Sequence, residues 1–346
     1  MDESVTPRQI TKELLKGVLP SRPLFLPIVF SLGARVENIP LNTFLSNPTK
    51  ITSSLRQMRG HLRADGVACY FDPYLEVEAL GATLKSHSED QPPTIHWRHS
   101  TRRGEVPGGL HSPEEAVRSG RVPVAVEVIR RMNSLGNRDF LLMAGVTGPL
   151  TLAARITGLD LREKAHGDDV SISALEFAAS VVTPVATAFL EAGADLIVIQ
   201  EEILPAHTPE SYDFWANLLA PAINVIRFYE ALPVLQLTDA RGVLQHWTTI
   251  LHQQWDCVLS LPTAAMTLRH REDSLTTTGR ILGISLPLET FQPEGPGGEE
   301  GLSSQQPLIS ELRHSFITTA GDVPARADMK RLLRILADIP RAFYQA

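Results

Sequence analysis

The chain has 346 residues, 43% hydrophobic and 21% charged, so it can bury a full core and is not a disordered scaffold. Its 39 acids against 32 bases give a net charge of -7, which argues against a nucleic-acid protein. Length does not separate two domains from one large barrel of alternating strands and helices.

The first segment, MDESVTPRQITKELLKG, is polar and helical in pattern, has no apolar signal core, and no run of eighteen apolar residues occurs anywhere. The expectation is a soluble cytoplasmic protein with residues 1–22 as a helical extension. Next come short apolar, β-branched runs bounded by turn residues: Leu24 to Phe30, Gly66 to Asp72, Phe140 to Gly148 and Asp195 to Glu202. Four more follow at Leu232 to Asp239, Asp256 to Pro262, Ile281 to Pro287 and Ser315 to Gly321. Cys69 and Cys257 sit inside such runs and read as buried free thiols.

Between the runs, Pro48 to Leu62, Pro113 to Leu135, Ser173 to Ala192, Pro209 to Ala231 and Ala325 to Phe343 have helical periodicity. Continuous apolar strands that alternate with helices are the pattern of a parallel sheet covered on both faces. Eight such units predict a single (β/α)8 TIM barrel domain over residues 1–346, with a doubly wound open sheet as competitor. Residues 85–109, which hold three of the eleven histidines, and residues 291–306 read as long loops, either of which could act as a lid.

A barrel keeps its reactive groups where strands end. The strand ends carry Ser31, Asp72, Thr147, Glu201 with Glu202, Thr238 with Asp239, Ser260, and Thr318 with Thr319. Three strands thus supply carboxylates, which serve as acids, bases, metal ligands or acceptors of a ligand's N–H groups. The competing reading is that each caps the following helix. That reading is strong for Asp239 and Asp72, and weaker for Glu201. Loop histidines His87, His96 and His99 show no metal pattern, whereas His207 is placed to carry protons. No dinucleotide fingerprint, Walker loop or nucleophile elbow occurs.

In order along the chain, FDPYLEVEALGATL (Phe71 to Leu84), GVTGPLTLAARITG (Gly145 to Gly158), EAGADLIVIQEE (Glu191 to Glu202), PVLQLTDARG (Pro233 to Gly242) and FITTAGDVP (Phe316 to Pro324) resemble the uroporphyrinogen decarboxylase superfamily. The resemblance implies a TIM barrel and one of two chemistries. Metal-free decarboxylases of the family bind pyrrole N–H groups through an aspartate that matches Asp72. Their arginines near the first strand are not matched beyond Arg35, and a family tyrosine is replaced by Arg155. The corrinoid-dependent methyltransferase branch holds zinc through His-x-Cys and a later cysteine. Here Leu237 and Asp239 stand at the first pair, and TTAGDVP lacks the cysteine.

The expectation is therefore a metal-free, cofactor-free carboxy-lyase acting on a porphyrinogen-like or small carboxylated substrate. Asp72 and Glu201 are its catalytic carboxylates, and Arg35, Arg155, Thr147, Asp239 and His207 are substrate contacts. The partner is a small molecule, with a tetrapyrrole as a candidate; no nucleic acid or membrane is involved, and a homodimer is allowed. The alternatives are a corrinoid-dependent methyltransferase with an altered or lost zinc site and a corrinoid protein as partner, and a non-catalytic tetrapyrrole-binding barrel.

Overall fold

Every apolar run lies on a strand of one sheet in the computed structural model, which describes residues 5–62, 64–85, 93–98, 105–135, 139–159, 161, 169–205, 208–253, 255–265, 282–288, 316–330 and 332–334. The strands are β1 (Leu24–Phe25), β2 (Gly66–Tyr70), β3 (Thr83–Lys85), β4 (Thr94–His96), β5 (Leu141–Thr147) and β6 (Leu196–Glu201). They continue as β7 (Leu232–Leu237), β8 (Val258–Pro262), β9 (Leu282–Leu286) and β10 (Phe316–Thr319). The eight-stranded sheet has the order β1-β10-β9-β8-β7-β6-β5-β2, all parallel. Asp65 draws β1 and β2 together at the seam: its N–H donates to the Phe25 carbonyl at 2.9 Å and its carboxylate accepts the Phe25 N–H at 2.8 Å. The result is a nearly closed TIM-like barrel in a single domain, as the sequence pattern predicts.

The first strand is shorter than its apolar run, and Pro27 gives the reason, because proline has no N–H for the ladder. Beyond it the backbone is satisfied by side chains. Ile28 N–H donates to Thr319 Oγ1 at 3.0 Å, and Phe30 and Ser31 N–H groups donate to Asp322 at 2.8 and 2.9 Å. The expected helix from Pro113 to Leu135 is two helices, Pro113–Ala116 and Val122–Asn133, separated by a turn at Gly120 with φ +55. At the start of the first long loop, β3 pairs antiparallel with β4, which lies within it.

The helix containing Ile172–Ala192 is apolar enough by composition to cross a membrane, and it packs against the neighbouring helices Pro149–Thr157 and Pro209–Phe228. Residues 291–306, His87, His99, His207 and most of the expected last helix lie outside the described residues.

Candidate functional site

The C-terminal strand ends open into a cavity of about 920 Å³ whose wall includes Asp72, Tyr74, Arg121, Gln200, Glu202, Thr238 and Asp322. This is the end of a parallel barrel at which loops can be varied without disturbing the packed strands.

Asp72 follows β2 directly. Its Oδ1 accepts the Tyr74 N–H at 2.9 Å, a local turn that Pro73 favours, and its Oδ2 lies 2.7 Å from Arg121 Nη1. Arg121 Nε also donates to Glu78 at 2.6 Å, so one guanidinium bridges two carboxylates. The side chains of Asp72 and Arg121 are only 7% and 13% exposed, which makes this an ion pair in poor solvent. The turn at Gly120 presents Arg121, and a Cβ on Gly120 would lie 3.1 Å from the Ala79 backbone, so the close approach requires glycine.

Across the seam, two strands from β2, Asp322 follows β10. It takes the two N–H groups of Phe30 and Ser31 and also the Ser31 hydroxyl. Burial pushes its carboxyl up to about 7 despite these donors. It is a cavity group that can hold a proton near neutral pH.

Of the described residues expected to act, only Asp72 stands in this wall. Asp72, Glu201 and Asp239 do not share one mouth, and the reason is local. Glu201 is fully buried and accepts Leu150 N–H at 3.0 Å, Thr151 N–H at 2.8 Å, Thr151 Oγ1 at 2.5 Å and Trp215 Nε1 at 3.1 Å. It satisfies the first turn of helix Pro149–Thr157, whose own N-cap, Gly148, has no side chain to do so. Burial pushes Glu201 up to about 7 as well. Asp239 caps helix Ala240–Gln245 by accepting Gly242 N–H at 2.9 Å and borders a separate cavity of about 250 Å³.

Arg155 is a tether rather than part of the large cavity's wall. It donates to the Pro73 carbonyl, pairs with Glu202 at 2.6 Å and lies 4.9 Å from the Tyr74 ring centre. The Thr147 hydroxyl is spent on Glu76 at 2.7 Å, and Arg35 reaches away to the Ala327 carbonyl at 2.9 Å. Glu76 itself is fully buried, with burial pushing it up to about 7.

Arg121 and Asp322 were not singled out from the sequence. For Arg121 the signal was Ser-Gly-Arg-Val-Pro (Ser119 to Pro123), where a glycine ends one helix and a proline begins the next. For Asp322 it was an acid just beyond the last strand, in a segment read for Thr318, Thr319 and its missing cysteine. At the positions matching the zinc ligands, Leu237 is fully buried and offers no donor atom, and the Asp239 carboxylate is engaged in capping. Among the described residues no group of three or more His, Cys, Asp or Glu side chains is disposed to hold a metal ion.

Comparison with known proteins gives a match of residues 7–243, well over half of the chain, to the family model for uroporphyrinogen decarboxylase (URO-D). The chain is 23% identical over 128 residues to the methylcobamide:CoM methyltransferase MtaA of Methanosarcina barkeri (strain Fusaro / DSM 804), covering 36% of this chain and 37% of that protein. The match thus spans little more than a third of the curated relative. Among solved structures, a methyltransferase from Methanosarcina mazei superimposes with TM-score 0.73 at 17% identity, covering 99% of this chain and all of that one. A B12-independent methionine synthase from Shewanella sp. W3-18-1 reaches TM-score 0.51 at 11% identity, covering 94% and 97%. At these identities the structural likeness concerns the fold.

Proposed function

Because the chain belongs to the uroporphyrinogen decarboxylase family, we propose that it is an acid–base enzyme of that family, a carboxy-lyase acting on a porphyrinogen-like or other small carboxylated substrate. The observation that carries this reading is Asp72, the residue matching the family's N–H-binding aspartate, in the wall of the large cavity and compensated by Arg121 at 2.7 Å.

Decarboxylation converts R–CO2⁻ and one proton into R–H and CO2: a proton adds to carbon of an electron-rich ring, which becomes transiently positive, and the C–C bond then breaks, its electron pair neutralising the ring as CO2 leaves. An Asp72 carboxylate accepting the ring's N–H stabilises that charge without reorganisation. Asp322 is another carboxyl of the wall, and burial pushes it up to about 7, which suits it to deliver a proton to carbon. The only described arginine in the wall, Arg121, is already shared by two carboxylates, so a substrate with few anionic arms fits better than a poly-acid.

The test is turnover of candidate porphyrinogens, followed by mass spectrometry of the decarboxylated product. Asp72→Asn should lower kcat/KM by about 100-fold, the scale of losing one preorganised charge-stabilising group. Full turnover by Asp72→Asn on a confirmed substrate sinks the assignment.

A second reading, methyl transfer, is favoured by the likeness to the methylcobamide:CoM methyltransferase of Methanosarcina barkeri. Zinc is the group that branch implies, and Leu237, which has no donor atom, and Asp239, which caps a helix, do not fit it. Stoichiometric zinc in purified protein, lost in Asp239→Ala, together with methyl transfer from methylcobalamin to a thiol, would move the conclusion to this reading.

A further inference from the structure

A chain of side-chain hydrogen bonds runs beneath the cavity across the strands β6 to β10. Gln200 Nε2 donates to Gln236 Oε1 at 2.6 Å, and Gln236 Nε2 donates both to Ser285 Oγ at 2.9 Å and to the Thr319 carbonyl at 2.8 Å. Ser285 Oγ also meets Ser260 Oγ at 2.8 Å. Gln200 and Gln236 are direct neighbours across the β6–β7 register, which puts both side chains on the same face of the sheet.

The polarity of this chain has only one solution. A backbone carbonyl can only accept, so the end of Gln236 facing Thr319 must be its NH2 group. Gln236 is fully buried, and flipping its amide would set its oxygen against the Thr319 carbonyl, leaving buried acceptors opposed and unsatisfied. Its Oε1 therefore faces Gln200, and Gln200 must turn its own NH2 group toward it. What remains is Gln200 Oε1, which accepts no hydrogen bond among the described residues, on a side chain that lines the cavity and is not fully buried.

We propose that Gln200 is a specificity-determining contact of the cavity, a fixed acceptor held carbonyl-outward by the Gln236–Thr319 relay, so that the site selects ligands presenting an N–H or O–H donor. This rests on the reading of the large cavity as the ligand site. A freely rotating glutamine would accept or donate according to the ligand. A fixed one discriminates, because an acceptor presented to it leaves two oxygens opposed in a partly dry wall. Gln236 is a positioning residue: it touches no ligand and acts through the orientation of Gln200.

The closing experiment compares two fragments of the same shape, pyrrole-2-carboxylate, which carries an N–H donor, and furan-2-carboxylate, which carries oxygen in its place. Affinities are read by ligand-observed NMR on the full chain. The intact protein should prefer the pyrrole by about tenfold, the scale of one hydrogen bond against an opposed pair of acceptors. Gln200→Met should reduce the preference below about twofold, and Gln236→Leu should do the same by raising the furan affinity, because a freed Gln200 can turn its NH2 group to the furan oxygen.

Side-chain amide resonances supply a readout independent of ligand. A slowly exchanging Gln200 Nε2 proton should be seen in the intact protein and lost in Gln236→Leu. Should Gln236→Leu not fold, Ser285→Ala, which removes one acceptor of the relay, should weaken both the protection and the preference. A preference that survives Gln200→Met but disappears in Asp72→Asn assigns donor recognition to Asp72 alone and overturns this inference while leaving the proposed function standing. Saturable binding of neither fragment to the intact protein overturns the reading of the cavity, and this inference with it.

Discussion

The ends of β2 and β6 look alike in sequence and behave differently in three dimensions. Each finishes an apolar run with an acid, Asp72 just beyond Tyr70 and Glu201 at the last position. Asp72 spends one oxygen on a local turn and lies across from Arg121 in the cavity wall. Glu201 is captured by a neighbouring helix, with four donors converging on its two oxygens. The difference lies in the next element rather than in the acid. Helix Pro149–Thr157 begins on Gly148, which cannot cap, and it recruits the glutamate from the adjacent strand. Helix Leu75–Ala79 begins beyond Tyr74 and leaves Asp72 available.

The comparison breaks most visibly at Glu201. Every partner of its carboxylate donates, so Glu201→Gln would set an NH2 group against N–H donors in a buried site. We expect a loss of about 3 kcal/mol in denaturant unfolding. Gly148→Ala should fail in a related way, since a Cβ there would lie 2.3 Å from Glu201 Cδ. Wild-type stability in either variant would mean that Glu201 is not held as described. The β2 end should respond less: Arg121→Met removes the cation shared by Asp72 and Glu78 and should cost about 2 kcal/mol, because Glu78 retains some access to water. Arg121→Lys should recover only part, since a point charge cannot bridge two carboxylates as a guanidinium fork does. Full recovery by lysine would show that charge alone matters there.

The eight strands were legible because parallel strands in a barrel bury both faces, which leaves continuous apolar runs that sequence shows directly. Asp72 was legible because the family resemblance covers its neighbours and a proline fixes the turn that follows. The misplacement of Glu201 came from a contact no periodicity encodes: a carboxylate on one strand satisfying the first turn of a helix that precedes it in the chain. Arg121 is positioned by a glycine turn inside what reads as one helix, and the antiparallel hairpin lies in a segment whose composition suggests only a loop. Gln200 and Gln236 fall inside apolar runs, where the sequence marks them as polar but does not give the direction of their amides. That direction follows only from the Thr319 carbonyl, 83 residues further on than Gln236.

Proton linkage extends the contrast to the whole barrel. Glu76, Glu201 and Asp322 all have carboxyls pushed by burial up to about 7, from ordinary values of 4.5, 4.5 and 3.8. Each binds its proton more tightly in the folded chain than in the unfolded one. Their contribution to stability is therefore complete below those ordinary values and is lost as pH rises through about 7. Thermal unfolding should accordingly show a higher Tm at pH 5 than at pH 8. A Tm that rises over this interval would mean that the converging donors outweigh burial and keep these groups ionised.

The smallest effect belongs to Asp239, where the two roles of a strand-end acid are most closely matched. Its carboxylate accepts the Gly242 N–H at the start of a six-residue helix, so Asp239→Ala should cost about 1 kcal/mol, the usual value of an N-cap. Asp239→Ser keeps a capping oxygen and removes the charge. If capping is the whole role, Ser should restore most of the stability and neither variant should change turnover by more than about twofold, less than 0.5 kcal/mol in the barrier. If the charge reaches the ligand, both variants should lose turnover together while only Ala loses stability. That split would make the β7 end a second functional end beside β2, and Glu201 the exception among the three.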